Sequence, residues 1–383
     1  MTKTFEEKLK AYEKGELTAE EREAFEKELD RLENIYEQEE NQQKKPSHNN
    51  EQKILRKGKW KARIQTTFYV FMIGIGIFFI STIGTSIYYA WGTPDRADVI
   101  RNVTDYTYAL TDPYGNLSHS STQGNFFFSL DVETPRQKQV GDEIIEVGQS
   151  ESSFFFSYLR SQENTSYSED NSAAPGFYLP EANETRQSDW NQLENLPEGT
   201  VSSAYISFDE LLETDDVFTL LDDYNINILW FGVEAGAYRD SHEGSMDTYV
   251  SEPFLFGFPA APIWMEEDMG TDDIEEEDGW FGTRTVSETS SSPAYEEGDS
   301  AILHEQFFKV LAFLSDHEEM ADKMTFGDMP AEDMLNYLEE NGIHHYGVVV
   351  TGPTKELLEL RDNDAISALQ LDETRLWNWI DSE

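Results

Sequence analysis

Apolar residues near the start of the chain recur at helical spacing in two blocks. Phe5, Leu9 and Tyr12 step by four and three; Phe25, Leu29, Leu32 and Tyr36 step by four, three and four. Each set therefore lines one face of an α-helix. Gly15 separates the blocks, and Thr18 followed three residues on by Glu21 gives the capping-box pattern that predicts the start of the second helix. Two such helices are marginal alone in water, so their stripes need a cover. The cover is each other, a second copy of the chain, or a partner protein. The following segment, "QEENQQKKPSHNNEQK", is polar and contains Pro46, which predicts a flexible tether.

The pattern then changes. From Thr66 to Trp91 there are 26 residues without a charge. At the helical rise this spans roughly 39 Å, more than the ~30 Å hydrocarbon core of a bilayer. Phe68 and Tyr69 at one end, with Tyr88, Tyr89 and Trp91 at the other, match the aromatic belts of membrane helices. The lipid bilayer is thus an expected partner. Lys53, Arg56, Lys57, Lys59, Lys61 and Arg63 precede the run, whereas only Arg96 and Arg101 follow it closely. This asymmetry predicts a single-pass protein with a cytoplasmic N-terminus and an extracellular C-terminal part.

Beyond the span, residues 92–165 are rich in aromatic and β-branched residues, and "NFFFSLDVE" and "SSFFFSYL" read as strands. A Ser/Asn-rich break covers residues 164–175. "TVSSAYISF", "DELLETDDVFTLLDDY" and "NINILWFGVEA" then read as strand, helix and strand, a βαβ unit with a right-handed crossover. "TDDIEEEDGW" and "SETSSSPAYEEGDS" read as a long acidic insertion. Two helices, a buried strand in "IHHYGVVVTG" and a closing helix in "PTKELLEL" complete the pattern. The fold class is α+β: a short helical segment (1–40), a basic linker (41–64), a transmembrane helix (65–91), a membrane-proximal β-rich region (92–190) and a mixed α/β domain (191–371).

Charge narrows the functions available. The chain has 383 residues and a net charge of -48. Its first 65 residues balance 15 basic against 15 acidic groups, while the rest carries 13 against 61. All of the net acidity therefore lies beyond the span, which points to an external medium such as high salt or alkaline pH and argues against direct nucleic-acid binding. The chain has no cysteine, so disulfides and thiolate metal sites are excluded. Neither G-x-S-x-G nor H-E-x-x-H occurs, no glycine-rich phosphate loop is present, and no enzyme activity, cofactor or metal is expected. His344 and His345 are adjacent on a predicted strand and point to opposite faces. The acidic insertion lacks the EF-hand spacing and reads as a solvated charge run.

"YEKGELTAEEREAFEKEL" resembles the anti-sigma domain of bacterial membrane-anchored regulators, in which a Gly-Glu-Leu turn links two helices. "RKGKWKARIQT", "VSSAYISFDEL", "ILWFGVEAG" and "YGVVVTGPTKELLEL" resemble the sigma-factor regulator family, the anti-sigma-M-like proteins of Gram-positive bacilli. The resemblance implies an extracytoplasmic-function sigma factor as partner, with room for a second small membrane regulator. It implies sigma-factor contacts from Phe5, Leu9, Tyr12, Leu17, Phe25, Leu29, Leu32 and Tyr36. In the zinc-containing branch a His-x3-Cys-x2-Cys motif follows; Glu28, Leu32 and Ile35 stand in its three places here, so zinc is not expected. The rival readings are a surface sensor or adhesion protein with dimerising cytoplasmic helices, and a membrane-tethered envelope enzyme.

Overall fold

The computed structural model describes residues 5–41, 49–167, 175–180, 186–236, 255–279, 282–325 and 329–377. It divides into two compact units, Met1–Gly84 and Thr85–Glu383.

In the first unit the two expected helices form as α1 (Phe5–Glu13) and α2 (Ala19–Asn41). The chain leaves α1 through a Schellman motif. The Gly15 amide donates to the Tyr12 carbonyl and the Glu16 amide to that of Ala11, with Gly15 at φ 70°, a conformation glycine adopts without steric cost. Thr18 caps α2 as its pattern predicts. The Glu21 amide donates to Thr18 Oγ1 at 3.3 Å, and the Thr18 amide donates back to the Glu21 carboxylate at 3.0 Å. Helix α3 (Asn49–Tyr89) is continuous from the basic segment through the apolar run, and Arg56–Tyr89 is long and apolar enough to cross a membrane. The expected tether is therefore helical at both described ends. Gln, Glu and Lys are good helix formers, and Pro46 falls in 42–48, outside the described residues.

The second unit begins with the last turn of α3. Helix α4 (Arg96–Thr111) follows, at the start of the region expected to be β-rich. Its Ile100, Val103, Tyr106 and Leu110 are buried at steps of three and four, so helical periodicity overrides β-branched composition. Asp95 caps it, accepting from the Asp98 amide at 2.8 Å. Then β1 (Ser121–Gly124), β2 (Ser129–Val140), β3 (Glu143–Phe155) and β4 (Tyr158–Ser166) form an antiparallel meander. β4 continues into the expected Ser/Asn-rich break as far as Ser166; residues 168–174 lie outside the described residues.

The C-terminal sheet has the order β11-β5-β10-β6-β7, every neighbouring pair antiparallel. Its strands are β5 (Thr200–Leu212), β6 (Asn227–Val233), β7 (Gly257–Pro259), β10 (His345–Pro353) and β11 (Ile366–Leu376). β5, α6 (Thr214–Leu221) and β6 make the expected βαβ unit, with β10 inserted between its strands. A second unit, β10, α10 (Thr354–Glu359) and β11, interleaves with it to give a split βαβ sheet. β10 is buried along nearly its whole length, as its unbroken apolar run requires of a central strand. The expected helix in "PTKELLEL" forms as α10, and beyond it the described residues add edge strand β11, whose alternation is hidden by polar residues after Leu371. The acidic insertion folds in part as a two-stranded hairpin, β8 (Gly270–Gly279) with β9 (Gly282–Ser291), whose register sets Glu277 opposite Arg284.

One core joins α4, the meander and the C-terminal sheet. It runs from Ile100 and Val103 through Leu130, Val132 and Phe154 to Ile206, Phe231 and Val348, and continues into Phe307, Val310 and Leu314 of α7 (Ser300–Asp316). The buried Trp230 indole donates to the Ala109 carbonyl at 3.1 Å. The carboxylate of Asp372 accepts from Tyr114 at 2.7 Å and from Lys138 at 2.5 Å, tying the meander to β11.

The first phenylalanine triplet departs from its strand expectation, whereas Phe154 and Phe155 of the second lie in β3 as expected. β2 starts only at Ser129, and Phe127 and Phe128 have φ of 58° and 59°; Phe156, in the β3–β4 turn, has φ 54°. This left-handed backbone costs a non-glycine residue about 1–2 kcal/mol.

Candidate functional site

The α1–α2 hairpin divides its own apolar stripe. Phe25 is 2% exposed, with the rings of Phe5 and Tyr12 at 5.6 and 5.4 Å. Tyr12 donates to Glu26 at 3.0 Å, and Lys8 pairs with Glu28 at 3.1 Å. Phe25 is thus consumed by packing within the hairpin, and Leu29 is half-buried. Leu32, Ile35 and Tyr36 stand 36%, 53% and 70% exposed.

α1 has 9 residues and α2 has 23, which at the helical rise are roughly 13 and 34 Å. Among the described residues α1 begins at Phe5, and beyond Leu29 three large apolar side chains on adjoining turns of α2 are exposed. Leu9 and Leu17 are half-buried and line, with Tyr12, Trp60 and Ile64, a groove of about 1050 Å³ in this unit. Of the eight residues expected to contact a sigma factor, Phe25 is buried, Leu9, Tyr12, Leu17 and Leu29 are half-buried, and Phe5, at 40% exposure, Leu32 and Tyr36 are exposed, with Ile35 exposed beside the last two.

Arg56, Lys57, Lys59, Lys61 and Arg63 are exposed along the first half of α3, and Lys53 belongs to the same helix. Among the described residues, no group of three His, Asp or Glu side chains is arranged to hold a metal. Glu28 is engaged with Lys8.

In the second unit a threonine bridges two histidines, His345 buried and His304 half-buried. His345 is fully buried; its Nδ1 lies 3.1 Å from the Gly232 carbonyl and its Nε2 2.8 Å from Thr214 Oγ1. His304 Nε2 approaches the same hydroxyl at 2.6 Å. Burial pushes His345 down to about 3 and lowers His304 as well. A neutral imidazole with both nitrogens engaged is a packing element, not a poised base. His344, expected on the same strand, is half-buried and precedes β10, which begins at His345.

Comparison with known proteins assigns the whole. Residues 52–145 match the family described as sigma factor regulator N-terminal, and residues 193–373 match sigma factor regulator C-terminal. These two segments cover α3, α4 and the first half of the meander, then the C-terminal sheet with its helices. The chain belongs to the sigma factor regulator family. It is 26% identical over 393 residues, covering 99% of this chain and 100% of the relative, to the probable anti-sigma-M factor YhdL of Bacillus subtilis (strain 168). The hairpin α1–α2 lies outside both family segments and is reached by that full-length match. No solved structure matches. Membership implies a sigma factor as partner and a role in sigma-factor regulation, and the apolar α3 is compatible with a membrane anchor.

Proposed function

We propose that this sigma factor regulator holds an extracytoplasmic-function sigma factor at the cytoplasmic face of the cell membrane and releases it when its extracellular unit responds to envelope or environmental stress. The observation that carries the reading is the uncovered end of α2. Leu32, Ile35 and Tyr36 form a compact apolar patch on a helix whose remaining stripe is already packed. An apolar helical face of this kind is what a partner's groove covers. The basic first half of α3 supports the orientation, since it favours the anionic cytoplasmic leaflet. A regulator of this design works by binding and needs no catalytic group.

The test is capture of sigma factors by the full-length, detergent-solubilised protein. Each sigma factor of the source organism is presented in turn, and retention of an extracytoplasmic-function member is the expected result. A protein that captures no sigma factor and instead cross-links to itself through α2 refutes the proposal in favour of dimerising helices.

A further inference from the structure

We propose that the two phenylalanine-rich turns of the second unit, around Phe126–Phe128 and Phe155–Tyr158, rest in the outer leaflet at the boundary between headgroups and acyl chains, making the lipid surface a ligand of the extracellular unit. The inference rests on reading α3 as membrane-spanning.

Geometry fixes the height of the turns. The Tyr89 hydroxyl donates to the carbonyls of Phe128 and Phe156, each at 2.9 Å, and the Phe128 amide donates to Thr85 Oγ1 at 2.9 Å. The Phe128 and Phe156 rings stack at 4.8 Å, and Tyr88 stands edge-on to both. Both turns are therefore fastened to the last turn of α3. The charge-free run ends just beyond it at Trp91, 67% exposed, which marks the headgroup level of a spanning helix.

At that height the turns present Phe126, Phe127, Phe155 and Tyr158 at 45%, 57%, 48% and 62% exposure. Contiguous exposed aromatic surface marks an interaction site. The surrounding charge selects the partner. Neither Ser121–Leu130 nor Ser152–Leu159 contains a charged residue, in a part of the chain that carries 61 acidic groups against 13 basic ones, and the Lys323 ammonium, paired with Glu319, lies 5.5 Å from the Tyr158 ring. Acidic surface is repelled by anionic headgroups, so a tip whose own segments carry no charge is what such a unit can bring to the bilayer. The left-handed backbone at Phe127, Phe128 and Phe156 adds weight, because strain of this kind persists where the surroundings hold it and clusters at functional sites.

The chain has no cysteine, so single nitroxide labels report depth in the full-length protein. Phe127→Cys and Phe155→Cys are labelled separately and reconstituted into phosphatidylcholine–phosphatidylglycerol vesicles, with Ile73→Cys in the span and Asp216→Cys on α6 as references. Collision with oxygen is compared with collision with a water-soluble nickel chelate. The expected oxygen-to-nickel ratio at both turns lies several-fold above that of Asp216→Cys and approaches that of Ile73→Cys. Water-like ratios at both turns, with Ile73→Cys still lipid-like, overturn the proposal and leave the span intact. Labels shielded from both reagents overturn it in favour of a protein partner. A water-like Ile73→Cys removes the span itself.

Discussion

Replacing Tyr36 by alanine separates the exposed end of α2 from the hairpin's own core. Tyr36 is 70% exposed, and an aromatic side chain buries about 150–250 Å² when covered, so about 140 Å² awaits a partner. At ~25 cal/mol per Å² the upper limit is about 3.5 kcal/mol. Imperfect burial and the polar hydroxyl reduce this to about 2–3 kcal/mol, a Kd raised by about 30- to 150-fold. The free hairpin should not notice, since alanine is the better helix former and Tyr36 is mostly exposed. Phe25→Ala is the counterpart. It removes the ring held between Phe5 and Tyr12, costs about 3–5 kcal/mol of packing, and should abolish binding by melting the hairpin. The assay is equilibrium binding of the captured sigma factor to full-length protein in detergent, with far-ultraviolet circular dichroism recording helix content. Tyr36→Ala binding as tightly as the parent, with its helices intact, refutes the interface.

A reporter fused at Glu383 should be active only if exported, as the basic cluster in the first half of α3 predicts; cytoplasmic activity would reverse the topology. The fragment 85–383, a compact unit, should melt higher in roughly 1 M NaCl than in dilute buffer, because salt shortens the range over which its acidic groups repel; an unchanged or lower Tm would contradict this. His345 is held neutral by burial at about 3, while the unfolded chain protonates near ~6.5. Stability is therefore complete above pH ~6.5 and falls as pH drops toward the folded value, by about 2 kcal/mol at pH ~5. Thermal melts of the same fragment between those values, compared with His345→Gln, should show a slope that the variant reduces; parallel curves would refute the assignment.

Local rules made much of this protein legible in its sequence. Periodicity gave α1 and α2, the Thr18–Glu21 pair gave the cap, and a charge-free run of 26 residues gave the apolar helix. Each depends on residues close in the chain, where hydrogen-bond geometry and side-chain period are nearly independent of the rest. The buried run in β10 was equally plain, since a strand covered on both faces must be apolar throughout. What the tertiary structure decided are matters of pairing. It set β10 between β5 and β6, added β11 at the edge, and made α4 a helix because its buried face follows the core against which it packs. It also took Phe126–Phe128 and Phe156 out of the expected strands and into turns, left-handed at Phe127, Phe128 and Phe156, fastened to Thr85 and Tyr89. The division of the α2 stripe belongs here too. Sequence spacing shows which residues share a face, but whether that face is already covered depends on the placement of another helix, and only the folded hairpin shows Phe25 covered while Leu32, Ile35 and Tyr36 stand exposed.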